Sequence, residues 1–165
     1  MKTLLLLRHA KSSWSQEDQS DHDRSLNARG KRDAPRIGRL IRTQGLIPDL
    51  ILSSTAKRAR KTTQKVVAGG ELDVPVEDFR AFYLAAPATY IEVLQQQNGA
   101  VDCILVVGHN PGIEELSHQL TGQDTAFPTG TLAQIELELD QWRELSLDTP
   151  GKLRNIWYPR ELDSQ

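Results

Sequence analysis

Two apolar runs, residues 3–7 and 103–107, place the strongest constraint on the fold of this chain. Neither run shows the alternation of apolar and polar residues that is typical of a strand with one face in solvent. A strand that is apolar on both faces belongs inside a parallel sheet covered by helices on each side. Both runs stop abruptly, at Arg8-His9 and at Gly108-His109. They predict a layered α/β architecture with polar side chains at the ends of its central strands.

The remaining segments complete an alternation of strands and helices. Short strands are predicted at residues 50–52 and 74–76, and helices at about residues 28–44, 56–68, 88–97 and 111–121. The tail, residues 131–147, alternates in the manner of antiparallel strands. The predicted fold is therefore a three-layer α/β sandwich. It has a mostly parallel central sheet, helices on both faces and an antiparallel edge strand.

Local signals set the predicted helix ends. Asn27 is the expected N-cap of the first helix, Pro35 is expected to kink that helix, and Gly45 to stop it. Asn110 is the expected N-cap of the last of these helices, with Pro111 as its first residue. That helix start would direct backbone N–H groups toward the end of the strand at residues 103–107.

Length, charge and cysteine content limit the function classes. The 165 residues fit one domain, over residues 1–165. A formal net charge of −2 gives no global field for nucleic acid or anionic lipid, so neither a nucleic-acid nor a membrane partner is expected. Cys103 is the only cysteine, which excludes a disulfide framework, and its place within a strand predicts a core residue. The N-terminal apolar run is too short for a signal peptide or a membrane span, so a cytoplasmic location is expected.

Four polar side chains lie where predicted strands stop. Arg8 and His9 follow the first strand, Arg58 lies in the first turn of the helix after the second strand, and His109 follows the strand at residues 103–107. In open α/β sheets the ligand crevice lies outside the carboxyl ends of the strands. The four side chains are therefore predicted to converge on one site.

These residue types suit a phosphoryl group. Arginine offers a permanently charged fork of donors to phosphate oxygens, and imidazole is a nucleophile at neutral pH. A metal site is disfavoured by the surrounding cations, so no metal or cofactor is expected. Taken singly, each residue also fits a plainer interpretation. A strand-end histidine is often an ordinary loop residue, and Arg58 belongs to the cationic run at residues 57–61, which could be a solvated helix face.

Motifs along the chain strengthen the first interpretation. The segments LLLLRHAKSSW (residues 4–14), SSTAKRA (53–59) and VVGHNPG (106–112) resemble the SixA-type phosphohistidine phosphatases of the histidine phosphatase superfamily. Residues 24–30 and 128–130 are similar to the same group. The resemblance implies a phosphoglycerate mutase-like fold and a metal-independent signalling phosphatase.

The resemblance also implies roles for individual residues. His9 would be the nucleophile, Arg8 and Arg58 would bind phosphate, and His109 would complete the pocket. Asn110 and Ser13 are further expected phosphate contacts, although Ser13 also fits an ordinary loop serine. Trp14 fits a rim contact and simple packing equally well.

One departure from the wider superfamily bears on the substrate. Mutases and ester phosphatases of that superfamily carry a carboxylic acid beyond the second strand and helix, whereas residues 80–84 here contain none. The nearest acids are Glu77 and Asp78, which also fit a role as surface carboxylates. A missing acid is tolerable when imidazole is the leaving group but costs an alkyl ester roughly 10² to 10⁴-fold in rate. We therefore expect a monomeric phosphatase of protein phosphohistidine, such as a phosphorelay histidine domain, with a shallow pocket and no large lid.

Two alternatives stay open. One is a phosphatase of small esters or phosphoramidates that uses Glu77 or Asp78 as its acid. The other is a non-catalytic module that binds phosphoproteins. The remaining polar features are interpreted as structural: residues 21–23 as solvated loop, His118 as helix surface, and the basic side chains of residues 29–42 as a solvated face.

Overall fold

The computed structural model describes residues 1–14 and 19–162. Its six-stranded sheet has the strand order β3-β2-β4-β1-β5-β6. The strands are β1 (Lys2–Arg8), β2 (Leu50–Ser54), β3 (Val76–Phe79), β4 (Cys103–Gly108), β5 (Leu132–Leu137) and β6 (Gly151–Trp157). The helices are α1 (Ala28–Thr43), α2 (Lys57–Gly70), α3 (Pro87–Gln95), α4 (Gly112–Thr121) and α5 (Pro159–Leu162).

The strand directions confirm the predicted mixed sheet. β1, β2 and β3 run parallel to their neighbours in the β3-β2-β4-β1 part of the sheet, and β5 and β6 are added antiparallel at one edge. The prediction of antiparallel strands within residues 131–147 was right for β5 but did not include β6, the strand that pairs with it. β6 lies beyond residue 147, in a half-exposed segment whose burial shows little alternation. Residues 15–18 of the predicted loop after β1 lie outside the described residues.

Two apolar cores lie on opposite faces of the sheet, which explains why its central strands are apolar on both faces. Leu4 and Leu6 belong to the core that α3 and α4 cover. Leu5 and Leu7 belong to the core that α1 and α2 cover. All four side chains are fully buried. Because successive strand residues point to opposite faces, β1 supplies both cores and is fixed in register by both.

Helix ends follow the local signals in some places and tertiary packing in others. The Asn27 side chain caps α1 by accepting a hydrogen bond from the Gly30 amide at 2.9 Å, as predicted. Helix α2 was predicted to end at its glycine pair, and its last residue is Gly70. A Cβ on Gly70 would lie 2.5 Å from the backbone oxygen of Gly38 on α1. The glycine pair therefore serves the close approach of α1 and α2 as well as the helix end.

The prediction of Asn110 as a helix cap was wrong. Helix α4 starts at Gly112, its N-cap position is Pro111, and no side chain caps it. The amide of Asn110 instead donates to the Phe127 carbonyl at 3.0 Å. The Asn110 side chain is therefore used in a tertiary hydrogen bond to Phe127 and not as a cap of α4.

The sheet brings three chain segments together at its carboxyl edge. Arg8 pairs with Gly108, and Ser53 pairs with Val107, so β1, β4 and β2 end side by side. The residues that follow, His9 and His109, therefore leave the sheet as neighbours. In the described part of the chain, no helix has the length and apolar character needed to cross a membrane.

Candidate active site

A pocket of about 320 Å³ opens at this carboxyl edge, and all four of the strand-end residues line it: Arg8, His9, Arg58 and His109. The rings of the two histidines lie 5.1 Å apart between their centroids. His9, Arg58 and His109 are at most 5% exposed. Three of the four strand-end side chains that line the pocket are therefore buried polar groups.

Two hydrogen bonds define the tautomer of His9. Its Nδ1 lies 2.8 Å from the carbonyl oxygen of Ala10, which only accepts, so Nδ1 carries the proton. Its Nε2 then holds a lone pair and accepts from Nε of Arg58 at 3.4 Å. Burial is the main cause that lowers the pKa of His9 to about 3; His109 and Arg58 act in the same direction, and the Ala10 hydrogen bond opposes them. His9 is therefore neutral at physiological pH, with Nε2 available as a nucleophile.

Thr62 connects the His9 segment to α2. Its hydroxyl accepts from the Ala10 amide at 3.0 Å and donates to the Arg58 carbonyl at 2.7 Å. This hydroxyl is fully buried and uses both its donor and an acceptor site. It fixes the position of the His9 backbone relative to that of Arg58.

Arg58 is held by a carboxylate that the sequence did not identify. Its Nη2 donates to Oδ2 of Asp21 at 3.0 Å, and its Nη1 donates to the Asp21 carbonyl oxygen at 2.6 Å. The Tyr83 hydroxyl also donates to Oδ2 of Asp21. The Arg58 guanidinium is thereby pinned between the nucleophile and the loop that follows β1.

His109 points one nitrogen at a serine and leaves the other without a partner. Its Nε2 lies 2.8 Å from Oγ of Ser54, and that oxygen accepts from the Ala56 amide at 3.1 Å. Burial and the charge of Arg58 lower the pKa of His109 to about 3, so the ring is neutral. Its Nδ1 is buried and makes no hydrogen bond within the described residues.

Arg8 shows the same pattern of one satisfied and one unsatisfied donor. Its Nη1 donates to the Phe127 carbonyl at 2.9 Å, whereas its Nε is buried and unpartnered within the described residues. Buried polar atoms without partners are costly in a folded protein unless a ligand completes them. Arg8 Nε and His109 Nδ1 therefore mark positions at which an anionic ligand would accept hydrogen bonds.

The other predicted site residues lie differently. Asn110 lines the pocket, but its amide donors contact Phe127 and Glu114 rather than the pocket interior. Ser13 lines a neighbouring groove, and Ser12 takes its place in the pocket wall. Glu77 and Asp78 are exposed on β3 and do not line the pocket. Asp78 lies in a separate groove beside α2.

The prediction of a solvated loop at residues 21–23 was right for Asp23, which is exposed, and wrong for Asp21 and His22, which are partly buried. Asp21 lines the pocket, and His22 Nε2 lies 2.9 Å from Oγ1 of Thr55. Partial burial would raise the pKa of Asp21, but hydrogen bonds from Tyr83 and Arg24 and the charge of Arg58 lower it to about 2. Asp21 is thus an ionised carboxylate at physiological pH. An acidic residue in a loop lacks any periodic signal, so the sequence alone did not select it.

The pocket brings together the residue types expected of an anion site with a nucleophile. Two arginines and one unpartnered imidazole nitrogen line the same pocket as His9, and this combination suits phosphoryl transfer to nitrogen. Among residues 1–14 and 19–162, no group of three histidine, cysteine or acidic side chains is placed to hold a metal ion.

Known proteins carry the same fold and related sequences. A profile for the histidine phosphatase superfamily (branch 1) matches residues 4–83. An uncharacterised chloroplast protein of Arabidopsis thaliana is 32% identical over 96% of this chain and 78% of its own length. An uncharacterised Mycobacterium tuberculosis protein is 35% identical over 79% of this chain and 87% of its own.

Solved structures of SixA proteins have the same fold as this chain. A candidate phosphohistidine phosphatase SixA from Agrobacterium tumefaciens superposes with a TM-score of 0.82 at 31% identity, over 96% of this chain and 98% of that one. The protein histidine phosphatase SixA complexed with tungstate shares the fold, with a TM-score of 0.81 at 22% identity over 97% of this chain and 99% of that one. The chain belongs to the histidine phosphatase superfamily and has the SixA type of that fold over nearly its whole length.

Proposed function

We propose that the chain is a phosphatase of protein phosphohistidine that works through a phosphorylated His9. The observation that carries this proposal is the His9 tautomer. The Ala10 carbonyl holds the proton on Nδ1, and Arg58 Nε–H points at the lone pair on Nε2. A nucleophile in this state needs no base to activate it, because Nε2 carries a lone pair and no proton.

In the first step, His9 Nε2 attacks phosphorus as the bond between phosphorus and the substrate imidazole nitrogen breaks. The electron pair of that bond stays on the substrate nitrogen. When the other nitrogen of the substrate ring carries a proton, the ring departs as neutral imidazole. Arg8, Arg58 and the His109 N–H stabilise the charge on the three non-bridging oxygens of the moving group.

The acid and base content of the pocket fits an imidazole leaving group. Asp21 is the carboxylate beside Arg58, and with a pKa of about 2 it holds no proton to donate at neutral pH. An alkoxide leaving group would need such a donor, and its absence costs roughly 10² to 10⁴-fold. The placement of Glu77 and Asp78 outside the pocket wall supports the same choice of substrate.

In the second step, water attacks the phosphorus of phosphorylated His9, and the bond to Nε2 breaks. Nδ1 keeps its proton against the Ala10 carbonyl, so His9 also departs as neutral imidazole. The phosphate product takes both water protons at first and releases one to solvent. Both half-reactions therefore expel a neutral ring, and the groups that stabilise one also stabilise the other.

Substrate preference tests this function. We expect kcat/KM for a phosphohistidine protein to exceed that for p-nitrophenyl phosphate and for sugar phosphates by about 10²-fold or more, because only the esters need an acid. Phosphate release is measured with each substrate at matched enzyme concentration, with His9→Asn as the background control. A preference for the esters would support the small-ester alternative, and release at the His9→Asn level would support a binding module.

Ser54 provides a second test, because it sets the proton position on His109. The Ser54 oxygen accepts from the Ala56 amide and lies 2.8 Å from His109 Nε2, and we propose that the Ser54 hydroxyl donates its proton to Nε2, which leaves the ring proton on Nδ1. Ser54→Ala removes that constraint, and we expect kcat to fall on the order of 10-fold, the worth of one hydrogen bond. The imidazole ¹⁵N shifts of His109 should show the change in tautomer directly.

Ser53→Ala is the matched control for Ser54. Both serines are fully buried on β2, but the Ser53 hydroxyl donates to the Ser54 carbonyl at 3.0 Å and not to His109. We expect Ser53→Ala to keep kcat and the His109 shifts, and Ser54→Thr to restore both by keeping a hydroxyl. Equal losses in the Ser53 and Ser54 alanine variants would show that Ser54 is merely structural.

A further inference from the structure

The mouth of the pocket carries apolar side chains that a phosphate group does not need. Among the described residues, five large apolar side chains are exposed: Met1, Trp14, Ile47, Val76 and Leu84. Trp14 and Leu84 both line the catalytic pocket, and they are 73% and 56% exposed. Because water disfavours such surface, two large apolar groups at one opening indicate a contact with something larger than phosphate.

Trp14 is held in place by the residues of the site. The guanidinium carbon of Arg24 lies 3.4 Å from the centroid of a Trp14 ring, in a cation–π contact. Arg24 is itself buried, and it donates to Oγ of Ser12 at 2.7 Å and to Oδ1 of Asp21 at 3.1 Å. The indole is thus a fixed wall of the opening.

Leu84 is held in a conformation that leucine rarely adopts. Its φ is 50°, in the left-handed region, where a Cβ clashes with the neighbouring backbone. Glycine would occupy this position without strain and would expose no apolar surface. A strained, exposed leucine at the pocket mouth is therefore a cost to folding that points to a role in contact with a partner.

Three lysines extend from the same opening. Lys11 lines the catalytic pocket, and Lys31 and Lys57 line the groove next to it. Some cations have acidic partners, as Lys2 has in Asp102 at 2.9 Å. Within residues 1–14 and 19–162, none of these three lysines pairs with a carboxylate.

Lys57 is the most informative of the three. It is the first residue of α2, and that first turn contains no acidic side chain. A cation at a helix N-terminus is disfavoured by the helix dipole, which prefers negative charge there. Arg58 in the same turn contacts His9 and Asp21, whereas Lys57 has no such contact to explain it.

From these observations we propose a docking surface for a folded protein that carries acidic side chains around its phosphohistidine. The surface, here called the docking rim, consists of Trp14, Leu84, Lys11, Lys31 and Lys57. The apolar pair contacts the side chains next to the phosphorylated imidazole, and the lysines attract the acidic residues around it. This inference rests on the proposed function and names the chemistry of its substrate.

A charge reversal on the docking rim tests the inference. We compare wild type with Lys31→Glu/Lys57→Glu on two substrates: a phosphorylated histidine phosphotransfer domain with an acidic surface, and phosphoramidate, which is too small to reach the rim. We expect kcat/KM for the domain to fall on the order of 10-fold or more, and its decrease with added salt to disappear. For phosphoramidate we expect a change of less than about 2-fold.

The control reverses one charge elsewhere on α1, and Lys31→Glu alone is the single variant to compare with it. Arg39 is exposed and lies outside both the pocket and the neighbouring groove, so Arg39→Glu should leave both substrates unaffected. Equal losses on both substrates, or no loss on the domain, would overturn the docking rim. Loss of binding to an RNA oligonucleotide with unchanged domain turnover would also overturn it, because the lysines would then serve nucleic acid.

Leu84→Gly tests the apolar part with two opposite readouts. Removing the left-handed leucine should raise Tm, because glycine relieves the strain, and should lower kcat/KM for the phosphorylated domain. A variant that gained stability and kept full domain turnover would contradict the role of Leu84.

The test separates the docking rim from the proposed chemistry. If phosphoramidate labels His9 in wild type and the domain is not turned over, the chemistry stands and the docking rim is overturned. If no phosphoenzyme forms from either donor, the proposed function itself has failed.

Discussion

Replacing His9 by asparagine should abolish turnover of phosphohistidine, with kcat/KM reduced on the order of 10⁴-fold or more. Asparagine keeps a side-chain N–H for the Ala10 carbonyl that His9 Nδ1 contacts at 2.8 Å. It has no nitrogen lone pair that could attack phosphorus. The variant therefore removes the nucleophile while it keeps the buried hydrogen bond that holds the segment after β1.

Rapid-quench labelling measures the predicted intermediate directly. Wild type mixed with a labelled phosphoryl donor should yield a phosphoenzyme that is stable in alkali and labile in acid, as expected for phosphohistidine. His9→Asn should yield none. His118→Asn is the matched control, because His118 is exposed on α4 and outside the pocket. Labelling of His9→Asn at the wild-type level would place the phosphoryl group on another residue and would contradict the mechanism.

The convergence of the strand-end residues could be predicted from the sequence. Apolar runs that stop at Arg8-His9 and at Gly108-His109 predict parallel strands, and the carboxyl ends of such strands share one edge of the sheet. The observed pairing of Arg8 with Gly108 shows that β1 and β4 end side by side, as this reasoning predicts. These positions were predictable because the signal lies in local apolar patterns.

The partners of Arg58 were not predictable, because they come from segments without periodic patterns. Asp21 lies in a polar loop, and its neighbours gave no reason to prefer it over Asp23. Tyr83 lies within residues 80–84, which contain no acid, and it contributes a phenol instead. Only the folded chain shows that Tyr83 and Arg58 both donate to the Asp21 carboxylate.

Tertiary contacts gave two further residues a role that the local signal did not show. The glycine pair at the end of α2 was interpreted as a stop, and α2 does end at Gly70, but Gly70 also lets α2 approach Gly38 on α1. Asn110 was interpreted as a cap, whereas the Phe127 carbonyl takes its amide. In both cases the contacting residue is distant in sequence. The sequence therefore showed that the residue has a structural role but did not show which residue it contacts.

Arg58 and Asp21 together define the charge that the pocket offers to substrate. In the structure, Asp21 occupies two donors of Arg58, and Arg58 Nε faces His9. A phosphoryl group on its way to His9 Nε2 would lie against that Nε and share the guanidinium with Asp21. In the proposed mechanism, Arg58 would neutralise a carboxylate that otherwise repels the substrate, in addition to stabilising the transferring group.

Replacing Arg58 by alanine should therefore lower kcat by about 10² to 10³-fold, the usual effect of removing one preorganised donor from a transition state. Arg58→Lys should recover only a small part of this loss, because a lysine ammonium cannot contact His9 and Asp21 with a planar fork. Steady-state kinetics on a phosphohistidine protein measure both variants. Lys61→Ala, which removes a cation further along α2, is the matched control and should keep the wild-type kcat.

A double variant separates the two roles of Arg58. If Asp21 repels substrate once Arg58 is removed, Arg58→Ala/Asp21→Asn should be faster than Arg58→Ala alone, and the two substitutions should be non-additive. A strictly additive cycle would restrict Arg58 to direct contact with the phosphoryl group. An unchanged kcat in Arg58→Ala would contradict its place in the reaction altogether, since a side chain only 2% exposed could not then be explained as surface charge.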